Sequence, residues 1–286
     1  LRLVTYQSER GPRLAAVVAD GFVDLNDADA SLPCSLKELL HRGSGILRTV
    51  GHAAEIGKAF DPLTVRLLPP VPDPQKVICV GLNYADHARE SGAEPPTEPV
   101  LFNKFPSALV ADGAPIVLPP ISQEVDYEAE LVVVIGRAGH CIRQADAMHH
   151  VAGYTIGNDV SARDWQLRKP GRQWLLGKTF DTFAPVGPAM VTADEVDPAA
   201  LQVQFRRNGE TLQNSNTREF IFKLDELIAY ISRVCTLQPG DLIFTGTPPG
   251  VGFARKPPIF LQPGDVCEVE IEGLGVLTNP VVSQKP

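Results

Sequence analysis

Apolar residues fall along this chain in short runs separated by turn residues, the pattern of a protein built mainly from strands. From residue 76 onward, Val77 to Val80, Ile116 to Leu118, Tyr127 to Ile135 and Gly153 to Asn158 read as strands. Ala189 to Thr192, Leu201 to Arg207, Asp241 to Thr245 and Val266 to Ile271 follow the same pattern. Helical periodicity is rare there. Its clearest stretch is Leu224 to Val234, with Asp225 and Glu226 in the first turn, where the helix dipole favours acids. Before residue 70, Leu1 to Tyr6, Leu14 to Val18 and Phe22 to Leu25 predict strands around turns at Gly11-Pro12 and Asp20-Gly21. Ser35 and Glu38 form a capping box for a helix over Leu36 to His41, and a second helix is expected over residues 45–60. The Pro-rich segment Leu68 to Pro74 reads as a stiff connector. The pattern therefore predicts an α+β, β-dominated protein: a small N-terminal α/β unit over 1–70 and a larger mixed-sheet domain over 71–286.

Composition narrows the function classes. Of 286 residues, 44% are apolar and 21% charged, which is ordinary for a globular protein. A net charge of -8 and the lack of a Lys/Arg-rich run argue against nucleic acid as a partner. No apolar stretch reaches the roughly 18 residues that a membrane-spanning helix needs. The first residues carry no secretory pattern, so a cytoplasmic setting is expected, or an organelle matrix if a leader was removed. Cys34, Cys79, Cys141, Cys235 and Cys267 are dispersed, which suits reduced thiols better than a disulfide frame or a zinc site.

Candidate chemistry begins at Val125-Asp126-Tyr127-Glu128-Ala129-Glu130. On one continuous strand, Asp126, Glu128 and Glu130 would share a face in steps of about 6 to 7 Å. Carboxylates so placed repel unless a cation sits among them, and a hard divalent ion with oxygen ligands fits. A solvated sheet face would carry the same residues. Asp159, at the end of the next strand, can add a third carboxylate ligand and leave room for waters and substrate oxygens. An Asx turn or a helix N-cap is its plainer role.

Two further segments carry polar chemistry. His87 and Glu90 lie three apart, so on a helix the carboxylate can orient the imidazole and make it a competent base. A surface His–Glu pair is the plainer account. Gly92, Ala93 and the prolines after them suggest a lid. Thr245-Gly246-Thr247-Pro248-Pro249-Gly250-Val251-Gly252 lacks the Gly-Lys-Ser/Thr end of a phosphate loop, so nucleotide binding is not expected. The Thr247 hydroxyl and nearby N–H groups can instead hold a carboxylate. Arg163 and Gln166 are candidate carboxylate and carbonyl partners, and Arg163 can equally bridge Asp159 or Asp164 as scaffold. His41, His52, His140, His149 and His150 are expected to be structural or on the surface.

Glu128-x-Glu130, Gly157-Asn158-Asp159-Val160-Ser161-Ala162-Arg163-Asp164, Gly177-Lys178 and Thr245 to Gly252 resemble, in order and spacing, the fumarylacetoacetate hydrolase superfamily. Gln173 to Phe183 is most similar to its branch called fumarylacetoacetate hydrolase domain-containing protein 2. The resemblance implies a β-sandwich roll for the larger domain and a homodimer. It also implies Mg²⁺, with Mn²⁺ or Ca²⁺ as substitutes, on Glu128, Glu130 and Asp159. His87 and Glu90 would then act with Lys178 as catalytic groups. Lys104, Arg163, Gln166 and Thr247 would meet a small 2-oxo acid. Enolate chemistry is implied, with oxaloacetate enol–keto tautomerisation first. Acylpyruvate C–C hydrolysis and oxaloacetate decarboxylation are the alternatives. A rival from another class is a structural cation-binding module, which needs neither the His–Glu pair nor Lys178.

Overall fold

The structure, a computed structural model, describes residues 1–91 and 94–285. The expected lid segment falls partly outside these, at Gly92 and Ala93. Two large sheets enclose the main core. The first has ten strands in the order Ala59–Phe60, Gly21–Asp24, Gly11–Val18, Arg2–Ser8, Ala184–Thr192, Val151–Asn158, Ala129–Ile135, Leu242–Phe244, Val77–Gly81 and Val100–Lys104, with Arg66–Leu68 and Leu109–Val110 attached to its side. The second runs Glu210–Asn216, Gln202–Arg207, Val266–Ile271, Gly275–Ser283, Ile116–Leu118. The chain is strand-rich and mixed, as its pattern predicts.

The strand Ala129–Ile135 is buried along its whole length, which explains why it is apolar throughout apart from Glu130. Its odd-numbered side chains, Leu131, Val133 and Ile135, join the core between the sheets. There Tyr127 stacks on Phe205 at a centroid distance of 4.0 Å. Val132 and Val134 face the opposite way, into a second core shared with Leu3, Leu14, Leu36 and Val77. Glu130 follows this second parity. The N-terminal strands extend the same sheet through Arg2↔Val191 and Leu3↔Met190.

Local signals hold where they are strong. Ser35 caps Leu36–His41 by accepting from the Glu38 N–H, and Leu224–Val234 forms over its expected range. The second N-terminal helix is shorter than expected. Leu47–Ile56 stops before Gly57, where a Cβ would lie 2.2 Å from Val23, and Ala59–Phe60 then pairs with Gly21–Asp24 as a strand. The expected strand Tyr127–Ile135 is also interrupted. Val125–Asp126 pairs separately with Ser161–Ala162, so Asp126 does not continue the row of Glu128 and Glu130.

Candidate active site

Strand register assembles three carboxylates. Ala129 pairs with Asn158 and Glu130 with Gly157. The Asp159 N–H donates to the Glu128 carbonyl at 2.9 Å, and the Glu128 N–H donates to Asn158 Oδ1 at 3.0 Å. Ligand oxygens of Glu128, Glu130 and Asp159, all buried, thereby come within 4.8 Å of one another.

Buried cations meet two of these acids. Lys178 Nζ donates to Glu128 Oε2 at 2.7 Å and to Asp159 Oδ2 at 2.8 Å. Lys104 Nζ donates to Asp159 Oδ1 and, at 3.0 Å, to the Val160 carbonyl. Arg163 Nη2 lies 2.7 Å from Glu128 Oε1 and 2.8 Å from Asp126 Oδ2. Glu130 differs: it accepts the Gly246 N–H at 2.8 Å and pairs with no cationic side chain among the described residues. Four carboxylates, counting Asp126, thus face three cations.

The titration behaviour follows. Burial, then Asp159 and Glu128, push the Glu130 carboxyl well above the usual carboxylate range. Burial opposes ionisation of Glu128 too, but Lys178 and Arg163 outweigh it and hold that carboxyl at about 2. For Lys178, burial is outweighed by Asp159 and Glu128, which hold the ammonium above its ordinary value. Lys104 goes the other way, lowered by burial that Asp159 offsets only in part. An all-oxygen set with one acid lacking a cation fits a hard divalent ion.

Helix contacts deliver Lys178. Gly177 in Trp174–Lys178 packs on Gln166, whose backbone nitrogen would lie 2.6 Å from a Cβ there. Trp174 packs edge-on against Phe102 at 5.3 Å, and a Cβ on Gly81 would meet its ring at 2.8 Å.

On the other side, the helix Ala85–Ser91 carries His87, with Nδ1 3.3 Å from Glu90 Oε2. The Gly250 N–H donates to the Glu90 carboxylate at 3.1 Å, tying this helix to the Gly-rich loop. Asn83, in the turn before the helix, is fixed through Thr245 and Phe222. His87, Glu90, Glu128, Arg163, Gln166, Lys178 and Thr247 all line one cavity of about 420 Å³. A larger cavity of about 930 Å³, lined by His41, His149, Leu40 and Met190, lies apart from these groups.

Four expected positions are refined. Asp126 accepts the N–H groups of Gly252 at 2.7 Å and Phe253 at 3.0 Å, besides Arg163, and so anchors a turn. Arg163 pairs with Asp126 and Glu128 rather than Asp159 or Asp164. Asp164 instead accepts from Ser122 Oγ at 2.7 Å. Lys104 sits behind Asp159, away from the residues lining the cavity. The Thr247 hydroxyl donates to the Ala129 carbonyl at 3.0 Å and accepts from Gln213 Nε2 at 2.8 Å. Because Gln213 Oε1 accepts from the Ala129 N–H, that amide orientation is fixed and the hydroxyl proton is committed. The Thr247 backbone N–H has no partner among the described residues. Sequence reasoning singles out neither Gln213 nor Asn83, which carry no local motif.

Comparisons with known proteins show the family. The family model described as fumarylacetoacetate (FAA) hydrolase C-terminal matches residues 76–282. Oxaloacetate tautomerase fahd2, mitochondrial, from Xenopus laevis is 50% identical over 288 residues, covering 99% of this chain and 90% of that protein. A solved fumarylacetoacetate hydrolase from psychrophilic Exiguobacterium antarcticum is 37% identical with a TM-score of 0.83, covering 99% of each chain. Maleylpyruvate hydrolase from Sphingobium sp. SYK-6, solved with manganese(II) ion and pyruvate, is 32% identical with a TM-score of 0.84, covering 100% of each chain.

Proposed function

The chain belongs to the fumarylacetoacetate hydrolase family, and on that premise we propose that it interconverts the enol and keto forms of oxaloacetate with the aid of a bound divalent cation. One observation carries this reading: Glu128, one of a buried carboxylate trio, and a His–Glu pair line the same cavity. Half-sequence identity to an oxaloacetate tautomerase supports the substrate, and that relative's name supports an organelle matrix as the compartment. The family resemblance supports a homodimer.

Glu128, Glu130 and Asp159 would hold the ion, Mg²⁺ by our reading with Mn²⁺ or Ca²⁺ as substitutes, and it would polarise the 2-oxo acid end when bound. Lys178, already within hydrogen-bond reach of two of these acids, holds positive charge beside the oxygen on which negative charge develops. Thr247 meets the substrate carboxylate through its backbone N–H. Gln166 lines the wall and is oriented by Arg163 Nη1, which donates to its Oε1 at 2.9 Å. Lys104 supports Asp159 by charge rather than touching substrate.

His87 faces Glu90 through Nδ1, which assigns proton work to Nε2. Glu90, held by Gly250, orients the ring. In tautomerisation the enol hydroxyl loses one proton and C3 gains one, with no bond between carbons broken. His87 Nε2 carries the proton at C3. The same pair can orient a water, which favours acylpyruvate hydrolysis as the second reading.

Stopped-flow absorbance of the oxaloacetate enol tests the proposal. Decay accelerated by enzyme with Mg²⁺, and returned to the uncatalysed rate by EDTA, is the expected result. Enzyme that leaves the uncatalysed rate unchanged at saturating Mg²⁺ contradicts it.

A further inference from the structure

The cations around the cavity are not equivalent. Arg163 and Lys178 are each held by two carboxylates, so neither has charge to spare for a second acidic group on a ligand. Lys256 lines the same cavity, is exposed, and has no carboxylate partner among the described residues. The loop that carries it is held on both sides of it. Asp126 holds the Gly252 and Phe253 N–H groups. Arg255 Nε donates to the Gly250 carbonyl at 3.2 Å and Nη2 to that of Leu212 at 2.5 Å. The Ile259 N–H closes the loop onto the Gly252 carbonyl at 3.0 Å. Leu82, Trp174 and Val251 supply apolar wall to the same cavity. A ligand whose 2-oxo acid end lies at Glu128 and Lys178 therefore meets one unmatched positive charge, at Lys256.

We propose that Lys256 is a specificity-determining residue that binds the distal carboxylate of a 2-oxo dicarboxylic acid and so selects it over 2-oxo monocarboxylic acids. This rests on the reading of the cavity as a 2-oxo acid site and names the substrate class it prefers. A loop held on both sides limits the ordering that binding requires, and a partly desolvated charge pair gains over one in open water.

The test is calorimetric binding of two stable probes to the intact protein with Mg²⁺. Oxamate has one carboxylate, and N-oxalylglycine adds a CH₂-carboxylate. Wild type should bind N-oxalylglycine at least about tenfold more tightly than oxamate. Lys256→Met should reduce that ratio to about twofold or less, and Lys256→Arg should keep it. KM for the oxaloacetate enol should rise about tenfold in Lys256→Met. A wild type without preference, or a Lys256→Met variant with the wild-type ratio, overturns the proposal. Lys256-dependent preference in a protein that leaves oxaloacetate enol untouched would instead sink the tautomerase reading and keep this one.

Discussion

The ammonium of Lys178 lies 2.8 Å from the carboxylate of Asp159, with both side chains withdrawn from water. Glu128 shares the same ammonium at 2.7 Å. Replacing it by Met leaves two buried acids short of one positive charge. Lys178→Met is expected to lower turnover by about 100-fold or more. Its cost in stability should be about 3 kcal/mol, because a broken buried pair leaves uncompensated charge. Mn²⁺ titration should still show binding, since all three candidate ligands remain.

Gly177 is the position that lets Lys178 arrive. A methyl group there would press on the backbone of Gln166 at 2.6 Å, and backbone cannot rotate aside. Gly177→Ala should cost about 1–3 kcal/mol in urea unfolding, the range for overpacking. It should also lower turnover at saturating substrate, while Gly51→Ala, in the helix Leu47–Ile56 with open space around its Cβ, leaves turnover unchanged.

Much of this was legible in the sequence, for physical reasons that differ by residue. The strand Ala129–Ile135 announces itself because both of its faces are buried, which demands the apolar run from Leu131 to Ile135. Ser35 and Glu38 mark a helix start because a cap is a local device. Asp126 misled because its fate depends on Gly252 and Phe253, far along the chain. The commitment of the Thr247 hydroxyl depends on Gln213, which arrives from the opposite sheet. Neither partner can be inferred from spacing. The resemblance to a known family, not periodicity, singled out Lys104 and Lys178.

Glu130 permits a sharper metal test. It is the trio's one acid without a cationic partner, and its neighbours repel it. Bound metal should stabilise the wild type by about 2.7 kcal/mol at one hundred times Kd. Glu130→Gln removes the repulsion together with a ligand. Its metal-free form should therefore melt no lower than wild type, while the Mn²⁺-induced rise in Tm disappears.

A separate pH effect is expected among the N-terminal strands. Burial pushes the Asp24 carboxyl up, but the Arg13 guanidinium and the Tyr6 hydroxyl outweigh it and hold it below the usual range. Folded protein then binds fewer protons there than unfolded protein, so stability rises with pH. The contribution is complete above the unfolded value of about 3.9 and fades as pH falls through the folded one. Asp24→Asn should cost about 3 kcal/mol at pH 7, with a shallower loss of stability on acidification in urea titrations between pH 5 and pH 2.

His87 is the residue on which the chemistry turns. His87→Ala should bind Mn²⁺ with unchanged affinity and lower enol conversion by about 100-fold or more. Wild-type turnover in that variant would remove His87 from the chemistry.

The most direct test of the account compares the oxaloacetate enol and an acylpyruvate side by side, with Mg²⁺ and with EDTA, following enol loss and pyruvate release together. Metal-dependent enol loss without pyruvate release is the predicted result. Metal-dependent pyruvate release from the acylpyruvate, with the oxaloacetate enol decaying at its uncatalysed rate, would contradict it and assign the site to C–C hydrolysis.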